Sequence, residues 1–175
     1  MPAHAKLGPA VVFLASALAL SACAHKAPKE LPPEPGPATS TDTGQMGGTV
    51  VPGSQADFVQ IMAGADTIYF DTDKYNIDST DQVALAKQAQ WLQRYPAKRA
   101  TIEGHADERG TREYNLALGA RRAAATRDFL TSKGVAGNRM KTISYGKERP
   151  VAVCDDISCW SQNRRAVTVL NGAGS

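Results

Sequence analysis

The densest run of polar chemistry in this 175-residue chain is Gly104-His105-Ala106-Asp107-Glu108-Arg109-Gly110-Thr111-Arg112-Glu113-Tyr114-Asn115. Its histidine and carboxylates, His105, Asp107 and Glu108, can be read as an acid–base or metal cluster. The other histidines are His4 and His25, near the N-terminus, so this stretch has no histidine pair to draw on. Neither a nucleophile elbow nor a phosphate-binding loop occurs. These absences argue against an enzyme, and no metal or cofactor is expected. A binding role uses the same residues differently. Asn115, Leu118, Arg122, Ala125 and Phe129 recur at spacings of three and four, which puts them on one helix face. Arg122 thus lies on a mostly apolar stripe, while Arg121 is turned about 100° away toward water. An unpaired charge there would cost several kcal/mol, and Asp107 is the candidate partner. Two readings stay open. Either an Asp107–Arg122 ion pair ties the helix to the preceding strand, or the two receive a ligand. In the second case the carboxylate takes an ammonium and the guanidinium grips a carboxylate bidentately, which suits a zwitterionic amino-acid head.

The elements that would position these groups read as alternating strands and helices. Thr67 to Phe70 is a short β-rich run. Ser79 and Gln82 have capping-box spacing. Leu85, Ala89 and Leu92 follow at helical spacing, and Pro96 stops that helix. Ala100 to Gly104 predicts a strand that enters the polar stretch, and a second helix is expected from about Arg112 to Lys133. Lys141 to Tyr145 and Ala166 to Leu170 alternate like strands. Together they predict an α/β fold, a two-layer sandwich of about 115 residues. The polar stretch falls at a strand end and a helix start, where such folds place ligands and where free amides favour an anionic group. Hydrophobic residues at 42% and charged ones at 21% exclude a multi-span membrane protein and a fully disordered chain. A net charge of +3 is too mild for a dedicated nucleic-acid binder.

The N-terminal third is different in kind. From Pro9 to Leu20 runs an uncharged apolar segment of twelve residues with Lys6 before it. That is too short for a mature membrane span but suits an export signal. Leu20-Ser21-Ala22-Cys23 resembles the lipobox of bacterial lipoproteins. The resemblance implies cleavage after residue 22, acylation of Cys23, and sorting to the outer membrane because position +2 is Ala24 and not aspartate. Several acyl chains anchor stably where one is marginal. Residues 24–56 hold six of the ten prolines and no aromatic residue, a composition that cannot offset the entropy of ordering. They are expected to form a tether that reaches roughly 100 Å when extended at about 3.1 Å per residue. Without residues 1–22 the chain keeps 19 basic against 17 acidic side chains, so bulk charge selects no target. In an exported chain, Cys154 and Cys159 are expected to pair as a disulfide that pins the loop before the last strand.

The whole pattern resembles the OmpA-like peptidoglycan-binding domain family, and in particular its lipid-anchored members that work with the Tol system. The matching residues are Tyr69-Phe70-Asp71-Thr72-Asp73, Ile102 to Gly110, Tyr114-Asn115, Arg121-Arg122-Ala123, Ser144-Tyr145-Gly146 and Asn163-Arg164-Arg165. The resemblance implies a β-α-β-α-β domain with a mixed sheet over residues 57–171, after the signal (1–22) and the acylated tether (23–56) and before a short tail (172–175). It implies binding of peptidoglycan through diaminopimelate of the stem peptide, with Asp107 and Arg122 gripping its amino and carboxylate groups. Phe70, Asp71, Asn115 and Leu118 then look like pocket wall or secondary contacts, and Arg165 like a further positive group. A second partner follows from the same resemblance: the Tol system's periplasmic propeller protein, competing for the same face. The implied task is mechanical, linking the outer membrane to the wall during growth and division. The cysteine pair is not part of the general family pattern.

Overall fold

Helix starts in this chain are set by side chains that satisfy otherwise free backbone amides. In the computed structural model, which describes residues 50–171, Ser54 caps α1 (Gln55–Met62), its hydroxyl accepting from the Asp57 amide at 3.1 Å. The signal, Cys23, the tether as far as residue 49 and the tail at 172–175 lie outside the described residues. Helix α1 starts inside the segment expected to be tether. Its Phe58 and Met62, four residues apart, are buried, and Phe58 meets Trp91 edge-on at 4.9 Å. The cap of α2 (Ser79–Arg94) is Asp78 and not Ser79: the Asp78 carboxylate accepts from the Asp81 amide at 2.8 Å. A carboxylate at this position also complements the helix dipole.

Among the described residues, four strands form one mixed sheet: β1 (Thr67–Tyr69), β2 (Arg99–His105), β3 (Met140–Gly146) and β4 (Arg165–Asn171), in the order β1-β4-β2-β3. β2 runs parallel to β3 and antiparallel to β4, which in turn is antiparallel to β1. The connection between the parallel pair is α3 (Arg112–Ser132), as a parallel crossover requires. A single 3-10 turn at Gly137–Arg139 leads into β3, and α4 (Ile157–Asn163) precedes β4. Helices α2 and α3 cover one face of the sheet, giving two layers around a core that includes Leu85, Leu92, Ile102 and Leu130. On β4 the residues turned into this core are Ala166 and Leu170, with Thr168 bonded to Gln88 of α2 at 2.7 Å. Val167 and Val169 share the opposite, half-buried face.

Gly104 and Gly119 are among the glycines that decide how closely α3 approaches the sheet. A Cβ on Gly104 of β2 would run into the Gly119 carbonyl, and one on Gly119 would run into the Ser144 hydroxyl and the Gly104 carbonyl. Their absence lets the helix backbone rest against the strand. The buried line of α3 is Asn115, Leu118, Gly119, Arg122, Ala123, Thr126 and Leu130, with Ala125 and Phe129 at its margin. This contact carries Arg122 over the end of β2.

Candidate ligand-binding site

The end of β2 is where the chain gathers its buried charge. Asp107 follows the strand by two residues and is only 7% exposed. Its carboxylate is held from two sides. Arg109 grips it as a fork, Nε on Oδ1 at 3.1 Å and Nη2 on Oδ2 at 2.7 Å, and the Arg109 amide adds a bond to Oδ1 at 3.2 Å. Arg164, just before β4, donates from Nη1 to Oδ2 at 3.3 Å and from Nε to the Phe70 carbonyl at 2.8 Å. Burial pushes the Asp107 carboxyl up. The bonds and charge of Arg109, with the Arg164 bond, outweigh it and hold the pKa below the usual carboxylate value. The group is ionised at neutral pH.

Arg122 is fully buried, and among the described residues it forms no ion pair. It donates instead to three carbonyls: Nε to Lys74 at 2.9 Å, Nη1 to His105 at 2.8 Å and Nη2 to Asp71 at 3.1 Å. The Phe70 ring lies 5.2 Å from its guanidinium carbon. Burial, reinforced by the nearby Arg164 charge, lowers its pKa to about 10, against the opposing pull of Asp107 and Asp73. It stays cationic at neutral pH. Of the two open readings, the direct Asp107–Arg122 ion pair is not formed: the carboxylate is engaged by Arg109 and Arg164 and the guanidinium by backbone oxygen.

The loop between them is built to hold its shape. Asn115 is 2% exposed and its side-chain amide donates to the Arg109 carbonyl at 2.7 Å. Lys147 ties down the carbonyls of Glu108 and Gly110 at 3.0 and 2.8 Å. Gly110 turns the chain at φ +85, a conformation that favours glycine, and Thr111 then caps α3. Across from this loop runs the segment after β1. Its Asp73 accepts from the Tyr114 hydroxyl at 3.1 Å, and its Thr72 hydroxyl accepts from Arg109 at 3.3 Å. Thr72, Asp73, Asp107, Arg109, Gly110 and Tyr114 line a cleft of about 240 Å³.

Of the residues expected at the site, Phe70 is buried with its ring against Arg122 and its carbonyl on Arg164, and Asp71 contributes its carbonyl to Arg122 while its side chain pairs with Lys74 at the surface. Leu118 is buried one helical turn before Arg122. Arg165 does not join them. As the first residue of β4, opposite Tyr69, it lies on the far face of the sheet and donates to the Asn163 and Arg149 carbonyls. Its neighbour Arg164 takes the place on Asp107, because strand alternation turns adjacent residues to opposite faces. His105 also faces away. It is 2% exposed, sits 5.4 Å from the Tyr145 ring and 3.8 Å from Glu103, and burial lowers its pKa despite the help of Glu103. No group of three His, Cys, Asp or Glu among the described residues is arranged to hold a metal ion.

Three participants escaped the sequence reading. Arg109 lay in the polar stretch but was not singled out. Arg164 stood among the residues that match the family pattern, but its neighbour Arg165 was assigned the positive role. Trp160 sits on α4, a helix not expected at all; its indole N–H bonds to the Glu108 carboxylate and its ring lies 4.1 Å from the Arg109 guanidinium carbon. Cys154 and Cys159 are bonded to each other across 5.6 Å between Cα atoms, closing the loop that enters α4.

Residues 69–164 match the model of the OmpA family. The chain is 64% identical over 170 residues to the peptidoglycan-associated lipoprotein of Agrobacterium fabrum, covering 95% of this chain and 89% of that one. It is 61% identical over 166 residues to the peptidoglycan-associated lipoprotein of Brucella melitensis, covering 95% and 94%. The crystal structure of the peptidoglycan-associated lipoprotein from Burkholderia pseudomallei superposes with a TM-score of 0.58 at 46% identity, over 59% of this chain and 88% of that one. The C-terminal domain of Helicobacter pylori MotB shares the fold, with a TM-score of 0.56 at 22% identity over 59% of this chain and 82% of that one.

Proposed function

This chain belongs to the OmpA family, among its peptidoglycan-associated lipoproteins, and from that premise we propose that its folded domain holds the cell wall through the diaminopimelate of the stem peptide. Asp107 receives the ammonium of the ligand and Arg122 its carboxylate, while Phe70, Asp71, Asn115 and Leu118 shape the site. The observation that carries this reading is Arg122 itself. A guanidinium withdrawn from water normally has a counter-charge, since desolvation costs several kcal/mol. Here three carbonyl dipoles stand in for one. A ligand carboxylate delivered to this corner supplies the missing charge, and a carboxylate held by a guanidinium is a strong, geometrically specific contact.

The function is mechanical. Acyl chains on Cys23 hold one end in the outer membrane, residues 24–56 span the gap, and the domain grips the wall without covalent chemistry. No catalytic step is involved. The same face serves the Tol system's periplasmic propeller protein, which alternates with the wall as the outer membrane constricts during division.

Retention of the purified full-length protein by isolated sacculi tests the reading. Asp107→Asn and Arg122→Lys are expected to lose retention by tenfold or more while keeping a cooperative unfolding transition. Wild-type retention in both would overturn the assignment. Sacculi whose stems carry lysine in place of diaminopimelate lack the carboxylate for Arg122 and are expected to bind weakly.

A further inference from the structure

Asp107 has no acceptor position left for a ligand. An ionised carboxylate offers about four lone-pair sites. All are in use: Oδ1 takes the Arg109 amide and Nε, and Oδ2 takes Arg109 Nη2 and Arg164 Nη1. An ammonium cannot simply be added to this arrangement. One donor has to leave.

The two guanidiniums differ in their freedom to do so. Arg164 is 6% exposed and is tied by Nε to the Phe70 carbonyl, so it is part of the buried frame. The Arg109 side chain is 40% exposed. Among the described residues, beyond Asp107 its guanidinium bonds to the Thr72 hydroxyl and lies against the Trp160 ring. It also lines the cleft, so the space it would vacate opens directly onto the carboxylate. The backbone below it is separately fixed by Asn115 and Lys147, which lets the side chain swing while the loop stays in place.

We infer that Arg109 is a gate on the ligand site, its guanidinium occupying in the ligand-free domain the place on Asp107 that the ligand's ammonium takes on binding. The inference rests on the reading of Asp107 as the ammonium receptor. Displacement leaves Arg109 over Trp160, whose π-face holds a cation at modest strength. The gate costs every ligand of Asp107 the same fraction of competent molecules, so it lowers affinity without altering the preference among ligands. A ligand bringing a carboxylate beside its ammonium gains a guanidinium partner whether or not Arg109 is present.

The test is calorimetric titration of the full-length protein with a soluble stem peptide containing meso-diaminopimelate and with its lysine counterpart. Apparent affinity falls in proportion to the fraction of molecules with the site open, so a gate open a tenth of the time weakens binding about tenfold. Arg109→Gln is expected to bind the diaminopimelate peptide about tenfold more tightly than wild type and to leave the ratio between the two peptides unchanged. Asp107→Asn is expected to lose binding with or without Arg109. If Arg109→Gln binds no better than wild type while Asp107→Asn fails to bind, the gate is wrong and the Asp107 assignment stands. Wild-type affinity in Asp107→Asn would remove the assignment and the gate together.

Discussion

Asp81 lies in the first turn of α2, 6% exposed, with Oδ1 receiving the Tyr69 amide at 3.3 Å and Oδ2 buried without a hydrogen-bond partner among the described residues. Burial, with a smaller contribution from the neighbouring Asp78 charge, raises its pKa from 3.8 to about 6 against the bonds from the Tyr69 and Asp78 backbone. Between about pH 4 and 6 the folded chain keeps a proton that the unfolded chain has released, so this group makes stability fall as pH rises through that window. His105 acts in the opposite sense. Its folded pKa lies below 6.5, so its contribution is complete above pH 6.5 and is lost as pH falls toward the folded value. The two slopes oppose each other in the wild type, and the readable quantity is a difference. The stability of wild type minus that of Asp81→Asn, from urea unfolding at pH 4 and pH 7, is expected to drop by about 1–3 kcal/mol on going to the higher pH. A difference independent of pH would remove the buried-proton account. Site residues of this kind were legible unevenly. Asp107 and Arg122 stood out because charge on an apolar stripe demands a partner. Which partner each takes depends on carbonyls of the 71–74 segment, about fifty positions away in sequence, and on Arg164, and no local spacing encodes such contacts.

The approach of α3 to β2 is where element geometry and binding meet. Gly104 and Gly119 face each other with no room for a Cβ on either, and Arg122 follows Gly119 by three residues on the same buried line. Gly104→Ala has to push against the Gly119 carbonyl, so strand and helix must separate, and overpacking of this sort costs about 1–3 kcal/mol. Gly119→Ala presses partly on the Ser144 hydroxyl, which can be removed. In urea unfolding, Ser144→Ala is expected to recover part of the Gly119→Ala loss and none of the Gly104→Ala loss, with a coupling read from the double-mutant cycle. Sacculus retention is expected to fall in Gly104→Ala even where the fold survives, because the Arg122 bond to the His105 carbonyl lengthens as the helix lifts. A Gly104→Ala protein as stable as wild type would mean that this contact is not tight. Helical spacing, β-rich composition and alternation were together enough to find α2, α3 and the four strands. They did not find α1 or α4. Their eight and seven residues follow Pro52-Gly53-Ser54 and a cysteine loop, and helices so short are held by tertiary contacts and caps more than by propensity. Alternation also left the faces of β4 undecided: Val167 and Val169 are the more apolar pair by type, yet Ala166, Thr168 and Leu170 turn toward the helices.

At the scale of the whole chain, the proposed task depends on two activities being joined. An acyl anchor at residue 23 without a wall site is a membrane passenger, and a wall site without the anchor is a soluble binder. On that proposal the residues between them, rich in proline and without an aromatic side chain, serve reach and not recognition. Cys23→Ser is expected to leave the membrane fraction while still being retained by sacculi, and Asp107→Asn is expected to do the reverse. Each alone should produce an envelope that leaks periplasmic contents and is sensitive to detergent. Coexpression of the two variants is the more searching experiment. Most two-function proteins recover when each function is supplied on a separate copy. A link does not, because force passes from lipid to wall only through a continuous chain, and neither variant contains both ends. The coexpressing strain is expected to leak as much as either single variant, as measured by release of a periplasmic enzyme. Restoration of a tight envelope would show that anchored and wall-bound copies transmit force through one another, and the single-chain tether would have to be replaced by an assembled one.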